Sequence, residues 1–495
     1  MKLYAKALCA LLALCMLAAL AVGCTAGGNT GDATKNPGQG TEQPTEETQD
    51  NLDPNGYLKD SLPEDLNFNQ VVRVVVTDNQ AVNVYQTELS DNVIANAIFN
   101  RCVTVEERLG IEFEWFPMDA KWNANRNAFF SHIQSTSNSG DAYDALCTYN
   151  LMPGALAAKG YCENLYGARY LDLSAPWWPE DFVEQIVIHD SLYSLVENSS
   201  RGTLYNLHGV FFNNTLIEDY NLRSPYDMVA ANEWTFANMM ALIKDTWSDR
   251  NDNGIKDKDD FFGVMTGTEA KIETWFYGMG YKYSTKGASG EPEMLMNSNE
   301  YMVSWLDVFT KATATNDFLI WDQNGHTKAF FDNRAILYMS AIRLVDNGVA
   351  AGIEMDYGVV PVPKKDESQE KYITNVANSH DAWCVPLNVK NLEMSAAMIE
   401  CMASESYRQV APVYFDQCIK LRYAPDGRLA EMYDLIRSSI VFDFCVIYSF
   451  AFEKVPREIL HASARNPSST PWSSQWARYG TAYEAQFLEI LKLYE

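Results

Sequence analysis

The stretch VVRVVVTDN (71–79), followed by IANAIFNRCVTVEERLGIEFEW (94–115), decides the fold. Val71–Val76 is β-branched apart from Arg73, which reads as a buried strand, and Thr77-Asp78-Asn79 supplies the polar residues that stop it. Ile94, Ile98, Cys102, Val105 and Leu109 then recur at close to helical spacing, and Gly110 stands where a helix takes its left-handed cap. Ile111–Trp115 alternates as a strand should, and a third strand is expected over Tyr143–Tyr149, before a Pro-Gly turn and the Ala-rich Ala155–Lys159. Strands separated by helices imply a parallel sheet covered by helices, so the fold class is α/β.

A chain of 495 residues exceeds the size at which one core stops growing, so at least two lobes are expected. Hydrophobic residues make up 47% of it, enough for large cores. Lys and Arg number 38 against 65 Asp and Glu, for a net charge of −27. That field repels phosphate backbones and excludes nucleic acid as a partner. Twelve Trp, 27 Tyr and 23 Phe offer flat apolar faces suited to sugar rings as well as to cores.

The first residues read as an address. Lys2 and Lys6 precede a sixteen-residue apolar run, Ala7–Val22, shorter than the roughly 20 residues of a spanning helix. Leu20-Ala21-Val22-Gly23-Cys24 resembles the lipobox of bacterial lipoproteins, with Ala21 where Leu is usual. The resemblance implies removal of residues 1–23, a diacylglycerol thioether on Cys24, and location at the extracytoplasmic face of a bacterial cell membrane. Residues 24–68 are polar and Gly- and Pro-containing, and read as a disordered tether. The seven cysteines beyond Cys24 are widely spaced, odd in number and form no CxxC, against both a disulfide framework and a zinc site.

The pieces YDALCTYN (143–150), YLDLSAPWW (170–178), LHGVFFNNTLIEDYNL (207–222), NEWTFANMMALIKDTW (232–247), FFDNRAILYMSAIR (330–343) and DYGVVPVPKK (356–365) carry a resemblance further. In this order they resemble the extracellular solute-binding proteins of bacterial ABC importers, in the carbohydrate-type branch. The resemblance implies a two-lobe, type II periplasmic-binding-protein-like fold with a hinge and an interlobe cleft. Lobe 1 would comprise 69–204 and 370–412, and lobe 2 would comprise 205–369 and 413–495. The ligand would be an oligosaccharide, the partners the transmembrane subunits of a permease, and the receptor a monomer.

In that family, ligand contacts come from loops after strands. Matching strand ends are Asp78 and Asn79, then Tyr149 and Asn150; ETWFYGMGY places Trp275, YMSAIR places Arg343, and NSHDAWCV offers Ser379, His380 and Trp383. Trp177 and Trp178 are alternative aromatics. Separately, Asp249, Asn251, Asn253, the Ile255 carbonyl, Asp257 and Asp260 stand at the ligand positions of a twelve-residue calcium loop, with Gly254 at its turn. Asp260 replaces the usual Glu and Lys256 takes an apolar position; the expected role of Ca2+ is structural. The preceding segment reads as a core helix over Thr235–Trp247, capped by Thr235.

The six histidines form no HExxH, and no GxSxG, Walker or GxGxxG motif follows a strand. The expectation is a binder rather than an enzyme. Two rivals remain: a lipid-anchored glycoside hydrolase using two carboxylates, and a surface scaffold. A peptide or another polar solute is an alternative cargo.

Overall fold

The structure, a computed structural model, describes residues 51–120, 125–321, 326–350, 355–416, 427–452 and 455–495. The expected leader, Cys24 and the first part of the tether lie outside them. Contacts divide the chain into two units, Met1–Asn51 and Leu52–Glu495, and the second contains every element named below.

The strands are β1 (Gln70–Thr77), β2 (Ile111–Met118), β3 (Ala145–Tyr149), β4 (His208–Asn213), β5 (Phe262–Thr266), β6 (Ser284–Lys286), β7 (Pro292–Met294), β8 (Phe318–Ile320), β9 (Ala335–Ala341), β10 (Tyr357–Val360), β11 (Thr374–Asn375), β12 (Asp381–Cys384) and β13 (Ile440–Val441). One sheet has the order β12-β3-β1-β2, with β1 parallel to both neighbours and β12 antiparallel on β3. A second has the order β10-β4-β9-β5-β8, with β5 parallel to β9 and β8, and β4 antiparallel to β9 and β10. Val72, Val74, Val75 and Val76 are fully buried, as a central parallel strand requires.

The helix Val93–Leu109 joins β1 to β2. The Asn92 side chain caps it by accepting from the Ile94 and Ala95 N–H groups, and Gly110 ends it at φ 59°. A Cβ on Gly110 would also fall 2.2 Å from Asn67 Oδ1, so glycine answers both demands. Helix Leu392–Glu405 packs on Val93–Leu109, while helix Val455–Arg465 packs on Ala270–Gly278 and Asn299–Thr313.

Two expectations are corrected. The tether does not extend to residue 68: Leu62 is buried, the Phe68 N–H donates to the Leu109 carbonyl at 2.9 Å, and Asp60 lies in the core of a charged cluster. Asp60 pairs with Arg108, with Arg408 Nη2 at 3.2 Å, and accepts from Ser404 Oγ at 2.7 Å. Burial raises the Asp60 pKa, and the two arginines and Ser404 outweigh it, leaving the carboxyl below its ordinary value. Composition reads 52–68 as polar; two arginines from elsewhere in the chain make its one buried acid favourable. Among the described residues, Asp60, Cys401 and Glu405 are the single group of three His, Cys, Asp or Glu side chains drawn close enough together to share one metal ion, and Arg108 and Arg408 already neutralise it.

The helix expected over 235–247 spans only Phe236–Leu242, although Thr235 caps it as anticipated by accepting from the Asn238 N–H. Asp317 ends it early, because its carboxylate takes the N–H groups of Asp245 (3.0 Å), Thr246 (2.8 Å) and Trp247 (2.8 Å). Phe236, Met239 and Ile243 are buried, while Met240 and Trp247 are only partly so. Six of the later cysteines are buried and unbridged, and Cys418 lies outside the described residues.

Candidate functional site

In open α/β sheets, ligands bind beyond the carboxyl ends of strands. Here β1 and β3 of the first sheet end at Thr77 and Tyr149, and β5 and β9 of the second at Thr266 and Ala341. Polar groups from both sets of strand ends meet. Gln80, buried three residues past β1, donates from Nε2 to the Ser379 carbonyl at 2.6 Å. The Ser379 hydroxyl donates to Asn206 Oδ1 at 2.9 Å, and Arg343 Nη1 donates to the same oxygen at 3.1 Å. Arg343 Nη1 also lies 3.4 Å from Ser379 Oγ. The Asn150 N–H donates to the His380 carbonyl at 3.0 Å. Asn150, Ser379, His380 and Arg343, far apart in sequence, are therefore neighbours.

Beneath this junction the chain crosses side by side. Leu207 pairs with Val376, the Ala377 N–H donates to the Asn206 carbonyl at 2.9 Å, and the Ile342 N–H donates to the Leu207 carbonyl at 2.8 Å. Asn150, Asn375, Asn378 and His380 line a small cavity of about 30 Å³ with Glu273, Tyr277 and Asp443. Burial pushes His380 down to about 4, so its imidazole is neutral.

A second group stands at the ends of β5 and β9. His208 opens β4 opposite Ala341, and its Nε2 lies 3.1 Å from Lys271 Nζ. Lys271 sits in the first turn of helix Ala270–Gly278, which follows β5. Burial first, and then the nearby Arg343 charge, push the Lys271 ammonium down to about 7. Burial, Lys271 and Arg343 together push His208 well below its ordinary value.

Asp78 and Asn79 are exposed after β1. The expected aromatic platforms are corrected. Trp275 is fully buried, its Nε1 donating to Thr266 Oγ1 at 3.2 Å and its ring against Phe236 and Phe318. Trp383 is buried with Nε1 on Glu197 Oε1 at 2.7 Å. Trp177 and Trp178 both donate to Glu400, which burial pushes up to about 8. Tyr149 is buried and stacked on Phe450 at 5.8 Å, and burial raises its hydroxyl to about 12. Each indole has found an internal acceptor, which is what makes a large ring a good core residue.

Sequence reading missed Gln80, Asn206, His208 and Lys271. Gln80 had a signal, since it follows Asp78-Asn79 in the same loop. Asn206, His208 and Lys271 had none, because their partners lie far off in the chain.

Two buried carboxylates adjoin the junction. Glu273 is held ionised, well below its ordinary value, by Arg457 and His461 despite its burial, and accepts from Tyr283 at 3.0 Å. Asp381, which burial and Glu197 push up to about 6, lies under Gly202, where a Cβ would come within 1.5 Å of Asp381 Oδ1. Neither acid is open to a glycosidic bond.

The loop of residues 249–260 leads directly into β5. Asp249 accepts from the Asn251 and Gly254 N–H groups, Asn253 Oδ1 accepts from the Ile255 N–H, and Gly254 adopts φ 71°. Asp257 accepts from the side-chain amides of Asn251 and Asn253, and Asp260 is buried, accepting from Trp247 Nε1 at 3.2 Å. Three carboxylates and two amide oxygens on one short loop suit a hard divalent cation by their chemistry.

No protein-family model matches the chain, and no curated protein matches it. Solved structures do. The GacH receptor of Streptomyces glaucescens, determined unliganded and with acarbose, is 12% identical, with 84% of this chain and 98% of that one covered at a TM-score of 0.52. The maltose-binding periplasmic protein MalE from Listeria monocytogenes, in complex with maltose, is 13% identical, with 86% and 97% covered at 0.51. UgpB from Mycobacterium tuberculosis, in complex with glycerophosphocholine, is 11% identical, with 80% and 95% covered at 0.51. The mixed α/β fold is that of the maltose-binding-protein-like periplasmic binding proteins, as the sequence resemblance implies.

Proposed function

We propose that this chain is a solute receptor that closes around a saccharide and passes it unchanged to an ABC permease. One observation carries the reading: polar groups from the strand ends of both sheets converge on Asn206, Ser379 and Arg343. Residues 206–207 and 376–377 would form the waist about which lobe 1 (69–204 and 370–412) and lobe 2 (205–369 and 413–495) close. Two of the solved structures similar in fold hold acarbose and maltose, which favours a saccharide; UgpB holds glycerophosphocholine, so another polar solute is the second reading.

Under the same proposal Cys24 carries the lipid anchor at the outer face of the cell membrane, the receptor is monomeric, and Ca2+ stiffens the loop of residues 249–260 through Asp249, Asn251, Asn253, Ile255, Asp257 and Asp260. The test is a thermal-shift screen of the full chain against a glycan panel, with product analysis of the same samples. A ligand at 100 times its dissociation constant stabilises by about 2.7 kcal/mol. Stabilisation with the glycan recovered intact is expected; cleavage of any glycan, or no stabilisation by any of them, overturns the proposal.

A further inference from the structure

Several of the buried basic residues in this acidic chain meet a carboxylate. Arg108 and Arg408 meet Asp60, Arg457 meets Glu273, and Arg201 meets Asp346. Lys271 and Arg343 do not. Among the described residues, Lys271 Nζ has one hydrogen-bond partner, the neutral imidazole of His208, and Arg343 donates to Asn206 and Ser379, both uncharged, with the Tyr205 ring 6.0 Å from its guanidinium. Those bonds use Nη1, leaving Nη2 and Nε of Arg343 without a protein acceptor.

Two cations set near one another with no intervening acid repel, and their partial burial weakens the screening by water. The Lys271 ammonium shows the cost: its charge is disfavoured by burial and by Arg343, and no carboxylate stands close enough to oppose them. An anion placed between the two heads would relieve it, with the guanidinium supplying a planar pair of donors and the ammonium a point charge. The position agrees. Arg343 follows the end of β9 and Lys271 the end of β5, and Arg343 also bonds Ser379, whose carbonyl takes Gln80 from beyond β1. At the end of β5, a Cβ on Gly267 would meet the Lys271 stem at 3.0 Å, so glycine lets that stem lie close to the backbone.

Resting on the receptor reading above, we infer that Lys271 and Arg343 form an anion-binding subsite, so that the saccharide captured carries a carboxylate, sulfate or phosphate group. The overall negative charge of the chain then acts as a filter: an anionic guest is admitted only where these two cations offset the field.

The experiment is calorimetric titration of the full chain with oligogalacturonate and oligoglucuronate, a sulfated disaccharide and a sugar phosphate, each beside its neutral counterpart. At least one acidic series is expected to bind tenfold or more tightly than its neutral partner, and the series that does so identifies the anion. Lys271→Met should weaken the acidic ligand at least tenfold while changing any neutral ligand by less than twofold; Arg343→Gln should also weaken the acidic ligand at least tenfold, with Arg343→Lys partly restoring affinity. Should Arg343→Gln fail to fold, Lys271→Met decides alone, since the one hydrogen-bond partner of its ammonium is His208. Neutral sugars bound as tightly as acidic ones, or both weakened alike by Lys271→Met, would overturn the subsite and leave the receptor standing. Absence of binding by every saccharide would overturn both.

Discussion

Lys271 Nζ lies 3.1 Å from His208 Nε2, a lysine and a histidine facing one another with Arg343 close by. Such a pair holds fewer protons than the same residues in water, and that sets a pH dependence. The groups facing Lys271 are His208 and Arg343, with His326 beside Gly267 where the Lys271 stem lies, and Glu273 on the same helix acts on His208. In the free protein Lys271 titrates at about 7. A bound anion raises that value, so binding above pH 7 takes up a proton. Affinity for an acidic saccharide should be flat below pH 7 and should fall, by up to tenfold per unit, as pH rises beyond it. Titrations at pH 6, 7, 8 and 9 measure this, and an affinity flat across that range counts against Lys271 as a contact.

Asp60 fastens residues 52–68 to the body. Asp60→Ala leaves Arg108 and Arg408 without their buried partner and should cost about 3 kcal/mol. Limited proteolysis should then cut between residues 52 and 68 before the rest of the chain is attacked. Because the folded Asp60 carboxyl titrates below its ordinary value, its contribution is present above pH 3.8 and disappears as pH falls through the folded value. Wild type should therefore lose more stability between pH 5 and pH 3 than Asp60→Ala does, as seen in paired thermal melts.

Trp275 separates core packing from ligand stacking. Its ring is enclosed by Phe236 and Phe318, so Trp275→Ala should destabilise by about 3–5 kcal/mol. At temperatures where the variant remains folded, glycan affinity should stay within twofold of wild type. A large loss of affinity with little loss of stability would return Trp275 to the cleft.

The loop of residues 249–260 is tested by metal removal. Calcium should raise the melting temperature of the full chain, chelator should reverse the rise, and Asp249→Asn should reduce it. Asp249 is the suitable probe because Asp260 also receives hydrogen bonds from Trp247 and Arg250 and would disturb the fold when replaced. A melting temperature unmoved by calcium reduces the loop to an Asx-rich turn.

Local chemistry made much of the fold legible. The β-branched run of β1, the periodicity of Val93–Leu109 and the cap at Gly110 are properties of adjacent residues, and the structure has them where the sequence places them. Elements ended by distant groups were misread. The helix beginning at Phe236 stops because Asp317, 75 residues beyond Leu242, takes the next N–H groups, and residues 52–68 fold down because arginines 108 and 408 receive Asp60.

The candidate site divides in the same way. Asn150, Ser379, His380 and Arg343 are named through the family resemblance, which points to strand ends, and strand ends are local features. An aromatic side chain carries no mark of whether it faces a ligand or the core. For Trp275, Trp383, Trp177 and Trp178 that was settled by acceptors on Thr266, Glu197 and Glu400, which only the folded chain brings within reach. Sequence alone determined the alternation of strand and helix, since periodicity follows from neighbours along the chain. Tertiary structure alone decided which polar groups meet between the sheets, because a hydrogen bond or charge contact depends on distance in space, and Lys271, His208, Asn206 and Arg343 become neighbours only when the second sheet closes its register.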